Sequence, residues 1–128
     1  MKALMLLGAL NGAAAVMLGA FGAHGLKTRV DAAMLDVWST ASTYHFLHAL
    51  ALLLIAVLAK QFSQSGLAPT AFVTAGWVMF SGMLVFSGSL YALVLSGQRI
   101  LGAITPIGGT ALIIAWLILA WAIYKNAA

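Results

Sequence analysis

The sequence predicts an all-α membrane protein: a four-transmembrane-helix bundle with a short amphipathic interfacial helix between spans one and two. Three observations carry that reading. Of the 128 residues, 64% are hydrophobic and only 6% are charged, whereas a soluble domain carries about a quarter of its residues as Asp, Glu, Lys or Arg. Roughly 20 apolar residues cross the ~30 Å hydrocarbon layer as a helix, and four such spans fit into this length with short connections. Long apolar runs such as Ala49 to Ala59 are unbroken, where a transmembrane β-barrel would show short segments of alternating polarity. The whole chain, residues 1–128, reads as a single transmembrane domain.

Span one covers about residues 3–23. Met1 and Lys2 ahead of an apolar run, with Ala20-Phe21-Gly22 near its end, loosely resemble a signal peptide, but the run is long enough to span and reads as a retained helix, with cleavage the minor alternative. Its small residues Gly8, Gly12, Ala15, Gly19 and Gly22 recur at steps of four and three, which places them on one helix face. Gly8 and Gly12 form a GxxxG pair, the spacing that lets backbones approach in lipid. This stripe is expected to pack against span three or four.

The interfacial helix is expected at about residues 28–39, where Val30, Ala33, Met34 and Val37, with Leu26 before them, share one face and most of the charges lie elsewhere. Thr28 with Asp31 resembles a capping box. Span two, about 42–59, opens on Thr43-Tyr44-His45-Phe46-Leu47-His48 and continues as a Leu and Ala run. A polar loop from Lys60 to Ala68 then leads to Pro69, which suits the first turn of a helix.

Span three, about 70–95, carries two small-residue rows at heptad spacing: Thr74, Ser81 and Gly88, with Ala75, Gly82, Ser89 and Ser96 beside them. Ser81, Gly82, Gly88 and Ser89 are therefore expected helix-packing positions. Span four, about 101–124, follows the Gly97-Gln98-Arg99 turn, and Thr105-Pro106 also admits a start nearer Ile107. Trp121 and Tyr124 at its end, and Trp38 ahead of span two, fit an interfacial aromatic belt. Four spans put both termini on one side. The basic residues divide almost evenly between the two faces, so the positive-inside rule leaves orientation open.

Four segments in order, Gly19-Ala20-Phe21-Gly22-Ala23-His24-Gly25-Leu26, Tyr44-His45-Phe46-Leu47-His48-Ala49, Phe86-Ser87-Gly88-Ser89-Leu90-Tyr91 and Ile104-Thr105-Pro106-Ile107-Gly108-Gly109, resemble the family filed as domain of unknown function 423. That family includes YgdD-like and YwdK-like small bacterial membrane proteins. The resemblance extends over essentially the whole chain and implies a multi-pass protein of the bacterial inner (plasma) membrane. It brings no catalytic residues with it.

The remaining chemistry is sparse. There is no cysteine, which removes disulfides, thiolate metal sites and cysteine nucleophiles. The net charge of +4 comes from single basic residues near span ends, so nucleic acid is not an expected partner. Asp31 and Asp36 are the only acids, and neither falls within a span to couple protons.

His45 and His48, three apart, with Tyr44 beside them, form a polar cluster near one end of span two, and His24 lies on the same membrane side. Imidazole titrates near neutrality, so the cluster could move protons or hold a ligand; the plainer role is hydrogen bonding within the bundle. Three His could also hold zinc, but spacing alone does not assemble such a site, and no metal or cofactor is expected. Asn11, mid-span, must find a partner.

These residues lead to a non-enzymatic membrane protein that self-assembles or serves as an accessory subunit. The alternative is a small transport or lipophilic-ligand-binding protein using the His and Tyr cluster. The expected partners are the lipid bilayer and either further copies of the chain or a larger membrane complex.

Overall fold

Runs of Leu, Ala and Met without an interior proline form helices most readily in lipid, because a helix satisfies its backbone hydrogen bonds within itself. The structure, a computed structural model, describes residues 1–126. Four helices, α1 (Lys2–His24), α2 (Ala32–Gln64), α3 (Thr70–Ser96) and α4 (Thr105–Asn126), follow one another, with a 3-10 turn over Arg99–Ala103 before the last. All four apolar segments are long enough to cross a membrane, and no strand occurs among the described residues.

The boundaries follow from local chemistry. Asp31 caps α2, its carboxylate accepting from the Met34 N–H at 2.9 Å. Gly97 closes α3 in the left-handed conformation at φ 72°, donating its N–H to the Leu93 carbonyl, a conformation that costs glycine little. Pro106 lies in the first turn of α4, where its missing N–H is not needed.

The separate interfacial helix expected at 28–39 does not form. Residues 25–30 make a tight turn in which Leu26 N–H returns to the Phe21 carbonyl, and Asp31, not Thr28, opens the next helix. From Ala32 to Gln64 there is no Gly or Pro, so nothing ends the helix where the sequence becomes apolar. The amphipathic segment and span two are one 33-residue helix, about 50 Å long at 1.5 Å per residue. The apolar face read as membrane-surface seeking is turned onto protein instead. Leu26 and Trp38 are buried together with Leu93 and Val94 of α3, so Trp38 is a core residue rather than part of an aromatic belt. Trp121 and Tyr124 remain exposed at the end of α4.

The main seams join α1 to α2, α2 to α3 and α3 to α4. The small-residue stripe of α1 faces α2, which corrects its expected partner. A Cβ on Gly8 would meet Leu53 and the Ala49 carbonyl, and one on Gly22 would strike the Trp38 indole; Gly12 alone faces open space. Of the two rows on α3, Ala75, Gly82 and Ser89 are buried, Ser96 at the end of the helix is exposed, and Thr74, Ser81 and Gly88 face outward. Gly82 meets Gly108 and Leu112 of α4, and a Cβ on Gly108 would run into the Phe86 backbone. Apolar side chains from all four helices, among them Leu4, Leu52, Ile55, Phe72, Met79, Met83 and Leu112, fill one half of the bundle. The Leu26–Trp38 cluster fills the opposite end.

These contacts separate two glycines that the sequence alone treats alike. Gly108→Ala is expected to destabilise the fold by about 1–3 kcal/mol, since a backbone cannot yield as a side chain can. Gly12→Ala should be neutral or stabilising by up to about 1 kcal/mol, from the better helix propensity of alanine. Unfolding by SDS titration of the two variants beside the parent checks this; equal loss in both would contradict the seam.

Candidate functional site

Between the two apolar clusters lies a polar layer, and its first junction begins on α1. The amide nitrogen of Asn11 donates to the Leu7 carbonyl of its own helix at 2.8 Å, which turns the amide oxygen away towards α2. His45 Nε2 stands 2.9 Å from that oxygen, and His45 Nδ1 stands 3.0 Å from the Tyr91 hydroxyl of α3. An amide oxygen only accepts, so Nε2 carries the proton and Nδ1 accepts from Tyr91. One directed chain of hydrogen bonds thus runs from α3 through α2 to α1. His45 is 6% exposed, and its ring also meets the Tyr91 ring edge-on at 5.8 Å.

His48 makes a second junction of opposite polarity. Its Nδ1 lies 2.7 Å from the Tyr44 carbonyl one turn back; a carbonyl only accepts, so here Nδ1 donates. Nε2 is left as an acceptor and receives the Trp116 indole N–H from α4 at 3.2 Å. Tyr44 stacks on the His48 ring with centroids 5.9 Å apart. The two histidines therefore hold opposite tautomers, each with one donor and one acceptor engaged.

The single cluster expected from sequence resolves into two sites. Three residues along a helix turn the side-chain direction by about 60°, which sends His45 towards α1 and α3 but His48 towards α4. Tyr44 belongs with His48, and Asn11 with His45. His24 joins neither: it is exposed at the end of α1, thirteen residues beyond Asn11, or about 20 Å along the axis. Among the described residues no three His, Cys, Asp or Glu side chains converge as a metal set.

Three further ties join the helices: Trp38 Nε1 donates to the Leu18 carbonyl of α1 at 2.7 Å, Ser87 Oγ of α3 donates to the Ala41 carbonyl of α2 at 2.8 Å, and the Ser89 and Thr105 hydroxyls meet at 2.6 Å across α3 and α4. Among the described residues no buried side-chain nitrogen or oxygen is left without a partner. Tyr91, Trp116 and Ser87 escaped the sequence reading as site residues. The available signal was that a tyrosine hydroxyl or an indole N–H in mid-span needs a partner as much as a histidine does.

Two clefts flank the layer. A crevice of about 140 Å³ leads from the surface to His45 between α1 and α3, lined also by Asn11, Ser87 and Tyr91. A larger groove of about 570 Å³ lies between α2 and α4, with Tyr44, His48 and Trp116 along its walls and Phe86 of α3 among its lining residues.

A bundle of long apolar helices tied by a buried polar layer defines a multi-pass helical membrane protein. The chain belongs to the family described as Protein of unknown function (DUF423), whose model matches residues 18–109. It is 49% identical to the UPF0382 membrane protein YwdK of Bacillus subtilis (strain 168), over 98% of each chain. It is 48% identical to the UPF0382 membrane protein SAB0533 of Staphylococcus aureus (strain bovine RF122 / ET3-1), over 99% of each, and 46% identical to SSP2132 of Staphylococcus saprophyticus, over 98% of this chain and 99% of that one. No solved structure matches the chain.

The first junction is open to a direct test. Asn11→Leu and His45→Leu are each expected to lower the SDS unfolding midpoint, while the double variant loses less than the sum. The coupling should be about 0.6–2 kcal/mol, the range of interhelical hydrogen bonds in membranes. Strict additivity would mean that the bond contributes nothing to stability.

Proposed function

We propose that the protein is a non-enzymatic subunit of the bacterial inner (plasma) membrane that works by assembling, with copies of itself, through the outward face of α3. The observation that carries this reading is the division of the two small-residue rows. One is consumed inside the bundle, while Thr74, Ser81 and Gly88 remain exposed, and a Cβ at Gly88 would meet nothing within 4 Å. Helices associate in lipid through close van der Waals packing at such residues, since burial from lipid supplies no hydrophobic gain. The absence of enzymatic chemistry is supported by the engagement of both histidines in hydrogen bonds between helices. Localisation is supported by the helical spans and by relatives named as bacterial membrane proteins.

Labelled protein diluted into liposomes at increasing lipid-to-protein ratios should show energy transfer that persists beyond random proximity. Gly88→Leu should abolish it; a Cβ at Gly88 meets nothing within 4 Å but the residue borders the crevice to His45, so circular dichroism and the unfolding midpoint establish that the variant is folded. A monomer at every dilution would overturn self-assembly through this face.

The α2–α4 groove favours a second reading, the binding of a lipophilic small molecule. Its volume of about 570 Å³ falls within the range of roughly 300–1,000 Å³ typical of small-molecule sites. A Cβ at Gly109, which borders the groove, would make only ordinary contact with Phe86, so Gly109→Leu is expected to fill the groove, with the unfolding midpoint establishing that the variant is folded. Mass spectrometry of detergent extracts should then show an apolar compound retained by the parent and lost from Gly109→Leu. No retained compound in the parent would remove this reading.

A further inference from the structure

Two surface cavities run end to end along the α1–α2 seam, on neither of the sites described above. The first, of about 380 Å³, lies where α1 ends and α2 begins, and Lys27, Asp36, Ser39 and Ser42 contribute to its lining. The second, of about 290 Å³, continues one to two turns deeper between Ala15 and Val16 of α1 and Phe46 and Leu47 of α2. Ser42 lines both. The track is open because α1 presents small residues there: Gly19 has only Ser42 within 4 Å of where its Cβ would stand, and Gly12, farther along the same face, has nothing.

The polarity of the track is graded. Both of its charges, one of each sign, stand at the end nearest the connecting turn, while the deep end has no charged side chain. We propose that this track holds one phospholipid bearing a phosphate and a primary ammonium in its headgroup, the phosphatidylethanolamine class, with an acyl chain laid along Gly19, Val16 and Phe46. Lys27 takes the phosphate by a charge-assisted hydrogen bond, and Asp36 takes the ammonium. Ser39 adds a hydroxyl to the same lining.

The acid decides the class. An anionic glycerol headgroup would meet Lys27 but be repelled by Asp36 and offer it no cation. A choline headgroup carries the same charges as ethanolamine, yet its quaternary nitrogen has no N–H to donate to the carboxylate. Only the primary amine satisfies both side chains. This binding does not depend on self-assembly, whose seam is on α3, nor on the α2–α4 groove.

The test uses the full chain in vesicles of equal parts dioleoyl phosphatidylethanolamine, phosphatidylglycerol and phosphatidylcholine, extracted in mild detergent and read by native mass spectrometry. The parent should retain one phospholipid, with phosphatidylethanolamine enriched several-fold over the mixture. Asp36→Asn should collapse the preference over phosphatidylcholine, and Lys27→Gln should reduce retention of all three. Gly19→Leu, which fills the track, should abolish retention; circular dichroism and the SDS midpoint establish that each variant is folded. A parent that carries lipids in the proportions of the vesicle, or that prefers phosphatidylglycerol, overturns the proposal. So does an ethanolamine preference that survives Asp36→Asn in a folded protein.

Discussion

In a hydrocarbon layer a polar side chain cannot turn to water, and this constraint governs how the four helices stand against one another. An unmet amide or imidazole costs several kcal/mol when transferred to an apolar medium. Asn11 and His45 meet across α1 and α2, His45 and Tyr91 across α2 and α3, and His48 and Trp116 across α2 and α4. Sliding α1 by one turn, about 5.4 Å, would strand both Asn11 and His45. A formed interhelical hydrogen bond adds only about 1 kcal/mol, so the larger effect of the layer is to penalise every register but one. α2 is the hub because it alone carries both histidines.

Glycines let the backbones of neighbouring helices approach closely, and at the α1–α2 seam this brings a side chain as short as Asn11 within reach of His45. Gly8 and Gly22 bracket the Asn11–His45 pair, one lying against Ala49 and Leu53 and the other against Trp38. Gly82 and Gly108 bring the α3 and α4 backbones together at one point, about a turn into α4 from where Thr105 meets Ser89. Packing and polar pairing therefore specify one arrangement together: the glycines bring the helices within reach, and the directed donors and acceptors select the register.

The four spanning helices were legible because they depend on composition and on the length of apolar runs, which are properties of each segment alone. The error over residues 28–39 has a clear cause. A change of polarity does not end a helix; a helix ends where its backbone is broken or capped, and nothing between Ala32 and Gln64 does either. Asn11, Tyr44, His45 and His48 were legible as polar groups in need of partners. Their division into two junctions was not, since Tyr91 and Trp116 lie 46 and 68 residues away in sequence, and spacing within one helix carries no information about the register of another. The α1 stripe was legible as a seam but not as a seam with α2, for the same reason.

The distribution of glycine also explains where the molecule is open. Each outer helix is joined closely to one central helix: α1 to α2 through Gly8 and Gly22, and α4 to α3 through Gly82 and Gly108. Its approach to the other central helix rests on isolated side chains, Leu4 against Gly76 for α1 and Trp116 on His48 for α4. Without a glycine seam, bulky residues hold those surfaces apart, and clefts remain: the crevice above His45 and the larger groove beside His48. Both clefts thus end on a histidine for one reason. α2 must send polar bonds to helices on either side, and a single side chain can bridge a gap that two packed backbones have not closed.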